Sequence, residues 1–210
     1  LAIILPDVTL GGAERSMIKL AKGIKDSGIC VDLVLGKAEG PFLTEVPESI
    51  RIIDLNAKRI LFSILALVKY LRKERPTVLL SCLHANIPAI LAQRLAGTST
   101  NIYVSERNTP SSEAKNYKDI RMQWMPILDR FFYPWANGVI AVSKGVANDL
   151  TNELNIPENL IRVIYNPIIT PEFCSKVEEP IEHPWFQPDE PKVILAVGRL
   201  SKAKGFDILI

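Results

Sequence analysis

The chain has 210 residues, of which 48% are hydrophobic and 23% charged, and its formal net charge at pH 7 is +2. This composition is typical of globular proteins, and so small a net charge gives no reason to expect a nucleic-acid partner. Three widely spaced cysteines, Cys30, Cys82 and Cys174, indicate neither a disulfide framework nor a zinc site, which favours a reducing cytoplasm. The longest apolar stretches, such as 60–68, are far shorter than the roughly 20 residues that span a bilayer, and no signal peptide is visible.

Short aliphatic and β-branched runs alternate along the chain with longer segments of helical periodicity. The predicted strands are, in order, 1–5, 30–35, 51–55, 77–82, 101–105, 138–142 and 162–165. The predicted helices are 12–27, 58–74, 86–96, a stretch within 115–135, and 144–155. Strands that alternate with helices predict a Rossmann-like α/β fold, in which helices cover both faces of a parallel sheet.

The pattern changes after Asn166-Pro167, where prolines crowd a segment of little periodicity. A new strand is predicted at 192–197, and a glycine turn and a helix beginning near Lys204 follow it, as at the start of a second α/β domain. We therefore expect a first domain at 1–168, a proline-rich linker at 169–190, and the first strand and turn of another domain at 191–210. Both chain ends fall inside predicted elements, which suggests a piece of a longer protein.

Two glycines, Gly11 and Gly12, stand where the first strand turns into a helix. Backbone amides at such a helix start can cradle a phosphate, because glycine allows close approach and the helix dipole favours an anion. A tight turn with packing glycines explains the pair equally well. The spacing matches neither a dinucleotide-binding loop nor a P-loop.

A second strand-to-helix turn, from Gly198 to Gly205, carries two cations five residues apart, Arg199 and Lys204. Such a pair can neutralise a diphosphate and stabilise the charge that grows on a phosphate leaving group. A solvated basic loop is the alternative. No Asp-x-Asp pair is present, so the sequence implies no metal, and the two cations can take over its electrostatic role.

Together these motifs resemble glycosyltransferase family 4 over essentially the whole chain. The matching segments are Gly11-Gly12-Ala13-Glu14-Arg15, Val139-Ile140-Ala141-Val142-Ser143-Lys144, Val163-Ile164-Tyr165-Asn166-Pro167, and Val197-Gly198-Arg199-Leu200 through Lys204-Gly205. The resemblance implies the GT-B architecture, in which two Rossmann-like lobes face each other across a cleft. The first lobe mostly binds the acceptor, and the second holds the donor nucleotide.

The resemblance also assigns residues. It implies that Gly11 and Gly12 approach the donor phosphates, that Arg199 and Lys204 bind the diphosphate, and that Asn166-Pro167 lies at the crossing between lobes. The paired glutamates of the family belong to the second lobe, and this sequence does not include them.

The chain departs from the family after the strand at 101–105. Many members have a histidine there, whereas this chain has Glu106, Arg107 and Asn108, which resembles a subset acting on lipid-linked or envelope glycans. Glu106 or Asn108 would polarise an acceptor hydroxyl or hold the donor sugar, and Arg107 is a cleft candidate. A structural ion pair between Glu106 and Arg107 is the alternative.

His84 follows a predicted strand at the edge where open α/β sheets bind ligands, so it is a candidate for the acceptor cleft. A capping or packed histidine is the alternative. Nearby Asn86 is explained as a helix cap, and Ser143 is expected to cap the helix at 144–155. His183 lies in the predicted linker and needs no function.

The helix predicted at 58–74 has a basic side bearing an aromatic residue. Its core stripe comprises Ile60, Ile64, Leu67, Val68 and Leu71. The opposite side gathers Lys58, Phe62, Lys69 and Lys73, which suits anionic lipid headgroups, as on peripheral membrane enzymes. A solvated charged face is the alternative. A second basic and aromatic stretch lies within 115–135 and includes Tyr117, Lys118, Arg121, Trp124 and Arg130.

The resemblance implies a retaining transferase that moves a hexose or N-acetylhexosamine from a UDP- or GDP-sugar to a polyprenyl-linked or envelope glycan. The nucleotide sugar is a substrate, and no cofactor is required. We expect the parent protein in the cytoplasm, in peripheral contact with the inner face of the plasma membrane, and this chain alone to be inactive. The alternatives are an epimerase or phosphorylase of the same fold, and a non-catalytic module that binds the acceptor or the membrane.

Overall fold

A computed structural model describes residues 1–9, 11–116, 123–187, 189–198, 200 and 205–209. It divides into two units, Leu1–Pro167 and Ile168–Ile210. The first unit contains a seven-stranded sheet in the order β3-β2-β1-β4-β5-β6-β7, with every neighbouring pair parallel. Its strands are β1 Ala2–Leu5, β2 Asp32–Leu35, β3 Arg51–Asp54, β4 Val78–Cys82, β5 Asn101–Glu106, β6 Gly138–Ala141 and β7 Ile161–Val163. The predicted Rossmann-like α/β fold is confirmed.

Helices connect these strands. In the first unit they are α1 Gly12–Asp26, α2 Ile64–Glu74, α3 Asn86–Ala96, α4 Pro110–Asn116, α5 Met125–Phe132 and α6 Lys144–Asn152. Single 3-10 turns occur at Pro41–Glu45, Ile60–Ser63, Leu83–Ala85, Tyr133–Trp135 and Glu158–Leu160. The helix predicted from residue 58 begins only at Ile64, because the tighter turn Ile60–Ser63 precedes it. Ser143 caps α6 as expected, since its Oγ accepts a hydrogen bond from Val146 N at 3.2 Å.

Successive side chains of the central strands enter different cores, because a strand alternates its faces. In β1, Ile4 belongs to a core that also contains residues of α2 and α3, such as Leu71 and Ile90. Its neighbour Ile3 belongs to a second core, which contains Met17 of α1. Helices therefore cover both faces of the sheet, which explains why the central strand β1 is apolar and buried throughout.

The second unit contains two short helices, α7 Pro171–Val177 and α8 Phe206–Leu209, and a 3-10 turn at Pro184–Phe186. The segment predicted as a linker is therefore partly helical, and Thr170 caps α7 by accepting a hydrogen bond from Phe173 N. The strand predicted at 192–197 is wrong for this structure, because those residues form no strand and Val197 is exposed. A strand needs a hydrogen-bonded neighbour, and none occurs in the described part of this unit.

The three cysteines occupy different environments. Cys30 and Cys174 are exposed, and Cys82 is buried at the end of β4. Burial raises the pKa of the Cys82 thiol to about 11, despite the opposing effect of the Arg107 charge. Across the described residues, no helix is both long and apolar enough to cross a membrane.

Candidate functional site

The carboxyl ends of all seven parallel strands lie at one edge of the sheet, where the connecting loops gather. The chain changes direction across the sheet between the neighbouring strands β1 and β4, and open α/β sheets bind ligands beside such a switch point. Gly11 and Gly12 follow β1, His84 follows β4, and Asn108 follows β5. The fold thus brings the glycine pair, His84 and the loop after Glu106 to one edge.

The start of α1 is open above Gly12. A Cβ built on Gly12 would have no atom within 4 Å, so packing does not require glycine there. At Gly11 an added Cβ would overlap the carboxylate of Glu14, which lies over the helix N-terminus. The partial positive charge of that N-terminus therefore already attracts an anionic group.

Arg107 and Asn166 meet beside α1. The guanidinium contacts Asn166 Oδ1 and Met17 Sδ, and Arg107 Nη1 lies 3.5 Å from Ser16 Oγ. Arg107 Nε is buried and finds no hydrogen-bond acceptor among the described residues. In the described part of the chain no ion pair joins Arg107 to Glu106, because Arg107 gives that carboxylate only its backbone N–H. The predicted cleft residue Arg107 is thus in contact with Asn166, one of the two residues expected at the crossing.

Glu106 is the last residue of β5, and its carboxylate accepts three hydrogen bonds. The backbone N–H groups of Arg107 and Asn108 donate to Oε1 at 3.0 and 3.4 Å, and the Tyr133 hydroxyl donates to Oε2 at 2.6 Å. These bonds fix the loop that follows β5. Glu106 ends β5 at the sheet edge, and hydrogen bonds from the chain hold its carboxylate in place.

Asn86 connects this carboxylate to the sheet. Its Nδ2 donates to the Tyr133 oxygen at 3.0 Å, and its Oδ1 accepts from Ser81 Oγ at 2.8 Å. The expected helix-cap role of Asn86 is wrong: Ala85 is the N-cap residue of α3, and the Asn86 side chain is buried. The buried amide thus has hydrogen-bond partners in Tyr133 and Ser81, as buried polar groups require.

A cavity of about 70 Å³ opens next to Glu106. Polar or charged residues in its wall are His84, Glu106, Asn108, Glu113, Asp129 and Tyr133, and the other residues are Leu83, Pro110, Ala114, Met125 and Pro126. Leu83 has a φ of 60°, a left-handed conformation that costs a residue other than glycine about 1 kcal/mol or more. The predicted residues His84, Glu106 and Asn108 thus share one cavity.

Burial changes the proton affinity of the carboxyls in this cavity. It raises the pKa of Glu106, and burial together with the nearby Glu106 charge raises the pKa of Asp129 to about 8. The pKa of the Tyr133 hydroxyl is raised well above its usual value, chiefly by burial. The sequence analysis missed Asp129 and Tyr133. A lone aspartate among the apolar residues of 125–132 was the available signal.

The residues of the predicted membrane side are exposed. Lys58, Lys69 and Lys73 are at the surface, and Phe62 keeps 70% of its surface accessible. Leu65, one turn beyond Phe62, lies outside the core stripe and is also exposed. Contact with a membrane stays a prediction.

Several predicted residues lie outside the described part of the chain. They are Arg199 and Lys204 of the second phosphate-binding segment, and Tyr117, Lys118 and Arg121 of the second basic stretch. Their roles therefore stay predictions. Within the described ranges, no three histidine, cysteine, aspartate or glutamate side chains form a group suited to a metal ion.

Comparison with known proteins supports the family suggested by the motifs. A model of glycosyltransferase family 4 matches residues 10–171. A curated relative from Campylobacter jejuni is 30% identical over 127 residues, which cover 60% of this chain and 32% of the relative. Its name is N-acetylgalactosamine-N,N'-diacetylbacillosaminyl-diphospho-undecaprenol 4-alpha-N-acetylgalactosaminyltransferase.

Solved structures share the fold. A glycosyltransferase from Rickettsia africae superposes with a TM-score of 0.56 and 23% identity, covering 84% of this chain and 47% of its own. The Anabaena protein Alr3699/HepE, solved in complex with UDP, superposes with a TM-score of 0.59 and 19% identity, and the match covers 84% of this chain and 49% of the Anabaena chain. The UDP-GlcNAc 2-epimerase of Methanocaldococcus jannaschii superposes with a TM-score of 0.53 and 14% identity, and the match covers 79% of this chain and 46% of the epimerase.

The chain therefore spans about a third of the curated relative and about half of these solved structures. Their structural likeness, at 14 to 23% identity, concerns the fold, which glycosyltransferases and epimerases have in common. The family model is more specific, since it covers most of the first unit, including the glycine pair at Gly11 and the residues around Glu106. The chain belongs to glycosyltransferase family 4.

Proposed function

We propose that this chain is the acceptor-side lobe of a retaining glycosyltransferase that uses a UDP- or GDP-sugar and a lipid-linked or envelope glycan. One observation carries the proposal. In this family 4 chain, an open helix start at Gly12 and a polar cavity at Glu106 lie at the same edge of the sheet. The C. jejuni relative is named for transfer to a diphospho-undecaprenol acceptor, which supports a lipid-linked acceptor here.

On the donor side, Gly12 leaves space for a phosphate at the start of α1, since no described atom lies within 4 Å of a Cβ built there, whereas the Glu14 carboxylate lies over Gly11. Arg199 and Lys204 bind the diphosphate and stabilise it as it leaves the sugar. No cofactor or metal enters this scheme. In the retaining reaction the acceptor attacks from the face that the nucleotide leaves, and the leaving phosphate takes up the hydroxyl proton.

On the acceptor side, Glu106, Asn108 and His84 line the cavity and bind the acceptor sugar through its hydroxyl groups. Glu106 orients the attacking hydroxyl by accepting its hydrogen bond, and its own position is fixed by Tyr133 and the backbone of Asn108. Arg107 and Asn166 join the loop after β5 to the segment after β7. This contact holds the loop after β5 beside Asn166, one of the two residues proposed to lead to the donor-binding part.

Gly12→Ala tests the donor arrangement in the full-length protein that contains this chain. The added methyl group enters the open space over the start of α1, so kcat/KM for the nucleotide sugar should fall about tenfold, the equivalent of about 1.4 kcal/mol. The matched control is Gly23→Ala in the same helix, where an added Cβ also meets nothing within 4 Å. Equal kinetics for the two variants would remove Gly12 from the donor site.

Calorimetric titration of the 210-residue chain with UDP and GDP tests the division of labour. We expect weak binding and no turnover, since the groups that hold the base and sugar belong to the donor-side lobe. A dissociation constant below about 10 μM for either nucleotide would contradict the assignment of donor binding to that lobe.

We also propose that the exposed side of α2 contacts an anionic membrane, which would bring the cavity to a lipid-linked acceptor. Phe62 and Leu65 supply apolar surface beside Lys69 and Lys73, the combination that binds lipid interfaces. Lys58 adds a further positive charge before the turn Ile60–Ser63. Trp124 and Phe131, at α5, are also exposed apolar residues.

Changing Lys58, Lys69 and Lys73 together to glutamate tests the membrane contact. Each lysine near an anionic surface contributes about 1 kcal/mol, so sedimentation with phosphatidylserine-containing vesicles should weaken by about 100-fold or more. The control changes three other exposed lysines, Lys19, Lys37 and Lys144, and so alters the net charge equally. Unchanged sedimentation of the first variant, or equal loss in both, would show that α2 is not the contact.

A further inference from the structure

The helix α5 carries its large apolar side chains on the outside. Its acidic residue, Asp129, is buried, whereas Ile127 and Phe131 are 55% and 63% exposed. A surface helix normally buries its apolar residues and leaves its charged residues in water. Because residues three or four apart lie on one side of a helix, the exposed side chains form a single stripe. This outer stripe comprises Trp124, Ile127, Leu128, Phe131 and, in the turn after α5, Trp135.

The outer stripe is continuous along the helix. The ring centroid of Trp135 lies 5.7 Å from that of Phe131 and 5.2 Å from that of Phe132. Ile127, Leu128 and Phe131 line one open groove, which Phe132 and Arg130 complete. Contiguous exposed apolar surface is uncommon on globular proteins, and it marks places where another molecule or a membrane binds.

Two arginines flank the outer stripe. Arg130 is exposed in the wall of the groove, and Arg94 of α3 lies 5.9 Å from the ring centroid of Trp135 and donates a 3.0 Å hydrogen bond to its carbonyl. Among the described residues of 123–135 the one acidic side chain is Asp129, which is buried. Glu113 of the adjoining α4 lines the cavity next to Glu106.

This arrangement of charges favours a lipid surface over a second copy of the chain. At an anionic membrane the apolar side chains enter the boundary of the acyl chains, and the guanidinium groups meet the lipid phosphates. Two copies that docked through the same stripe would instead bring Arg130 and Arg94 of one copy close to the same cations of the other.

The two sides of α5 have different surroundings. Met125, Pro126 and Asp129 line the cavity next to Glu106, and the outer stripe lies on the other side of the helix. An α-helix with its side chains is about 10 Å across, so a membrane at the outer stripe would lie about that far from the cavity wall. Helices α2 and α5 pack against the same core, and so both belong to the layer on one face of the sheet.

We infer that α5 is an interfacial helix, whose outer stripe enters the surface of an anionic membrane while its inner side forms the wall of the cavity. The contact differs from the one at α2, because α2 attracts lipid chiefly through lysines and α5 inserts apolar side chains. That the membrane-bound ligand of the cavity is the acceptor glycan rests on the function proposed above. The insertion itself requires only the outer stripe.

Ile127→Ser together with Phe131→Ser tests the insertion in the 210-residue chain. Vesicles of phosphatidylglycerol and phosphatidylcholine are used at 0.5 M salt, where the attraction of lysines is screened within about 4 Å. We expect the unaltered chain to sediment with the vesicles and the double variant to bind at least about 30-fold more weakly. The matched control is Ile29→Ser with Phe173→Ser, which removes the same residue types from other exposed positions. Unchanged binding of the first variant, or equal losses in both, would overturn the inference.

Tryptophan fluorescence tests the insertion without changing the apolar character of the outer stripe. The chain has three tryptophans, so Trp135→Phe with Trp185→Phe leaves Trp124 as the reporter. In vesicles that contain brominated phosphatidylcholine, the emission of Trp124 should shift to the blue and be quenched. A chain in which Trp185 is the remaining tryptophan should show neither effect. Absence of quenching at Trp124 would contradict the insertion even if the serine variants do not fold.

The outcomes also identify other partners of the outer stripe. Self-association of the unaltered chain that is lost in the Ile127 and Phe131 double variant, without quenching by lipid, would assign the stripe to a second copy. Quenching of Trp124 in the 210-residue chain but not in the full-length protein would show that another part of the protein covers the stripe. Either result would overturn the inference.

Activity separates this inference from the proposed function. Transfer to a water-soluble acceptor by the full-length protein should be unchanged in the double variant, because neither residue lines the cavity. Quenching of Trp124 without any transfer activity would support the interfacial helix and contradict the transferase. Transfer activity without quenching would support the transferase and contradict the interfacial helix.

Discussion

Asp129 and Glu106 belong to different elements, α5 and β5, yet the carboxyls of both interact with the hydroxyl of Tyr133. Burial raises the pKa of each carboxyl, so the pair retains a proton under conditions in which exposed carboxyls have lost theirs. Asp32 shows the opposite case, because hydrogen bonds from Arg51 and Tyr70 lower its pKa. The folded chain thus contains carboxyls whose effects on stability have opposite pH dependence.

The effect of Asp129 on stability should appear between about pH 4 and pH 8. Its pKa is about 8 in the folded chain against 3.8 normally, so the folded state binds more protons in this window and stability falls as the pH rises. The slope from this group is at most about 1.4 kcal/mol per pH unit. Urea unfolding at pH 5.0, 6.5 and 8.0 should show a shallower decline for Asp129→Asn than for the unaltered chain. Equal declines would mean that Asp129 is ionised throughout, and Asp26→Asn serves as the control.

Two helices on the same side of the sheet end in the same conformation with different residues. The helix α2 ends at Arg75, with a φ of 47°, and α3 ends at Gly97, with a φ of 62°. Glycine adopts this left-handed conformation without a steric cost, whereas a residue with a side chain does not. The end of α2 therefore carries strain that the end of α3 avoids.

Arg75→Gly should raise the free energy of unfolding by about 1 kcal/mol, since Arg75 is exposed and loses only a 3.3 Å contact from its Nε to the Arg72 carbonyl. The reverse change at the other helix, Gly97→Ala, should lower the free energy by about 1 kcal/mol. Chemical denaturation of both variants measures the difference. A loss of stability in Arg75→Gly would show that the Arg72 contact outweighs the backbone strain.

Elements with local signals were predictable from the sequence. Alternating apolar runs bounded by turn residues indicated all seven strands of the sheet, and α3 has the predicted bounds of 86 and 96. The prediction of a strand at 192–197 was wrong because a strand needs a neighbouring strand to pair with, and the sequence of 192–197 alone does not show whether one is present. For a related reason the role of Asn86 was wrongly predicted and Asp129 was missed. Their partners, Tyr133 for Asn86 and Glu106 for Asp129, are distant in sequence, and only folding brings them together.

At the scale of the whole molecule, the two units differ in how they are stabilised. Both hydrophobic cores are built from residues of the first unit, up to Ile161. In the second unit the large apolar side chains that are described, such as Ile169 and Leu195, are exposed. The first unit therefore has the buried apolar surface that folding requires, independently of the residues after Pro167.

A chain shortened to residues 1–167 should keep the melting temperature of the first unit within about 3 °C, the effect of about 1 kcal/mol at this size. A chain that ends at Leu160 is the control: it loses β7 and the buried side chain of Ile161, which should cost at least about 2 kcal/mol. Calorimetry of the three chains measures both effects. A large loss on removing only 168–210 would show that the first unit needs the second.

The distribution of the cysteines also has a practical consequence for spectroscopy. The two exposed thiols, Cys30 and Cys174, lie one in each unit, and the buried Cys82 thiol resists reagents because only thiolates react readily. A maleimide dye or spin label therefore attaches once to each unit without any engineered residue. The distance between the two labels can therefore be measured on the native chain, with and without a nucleotide sugar.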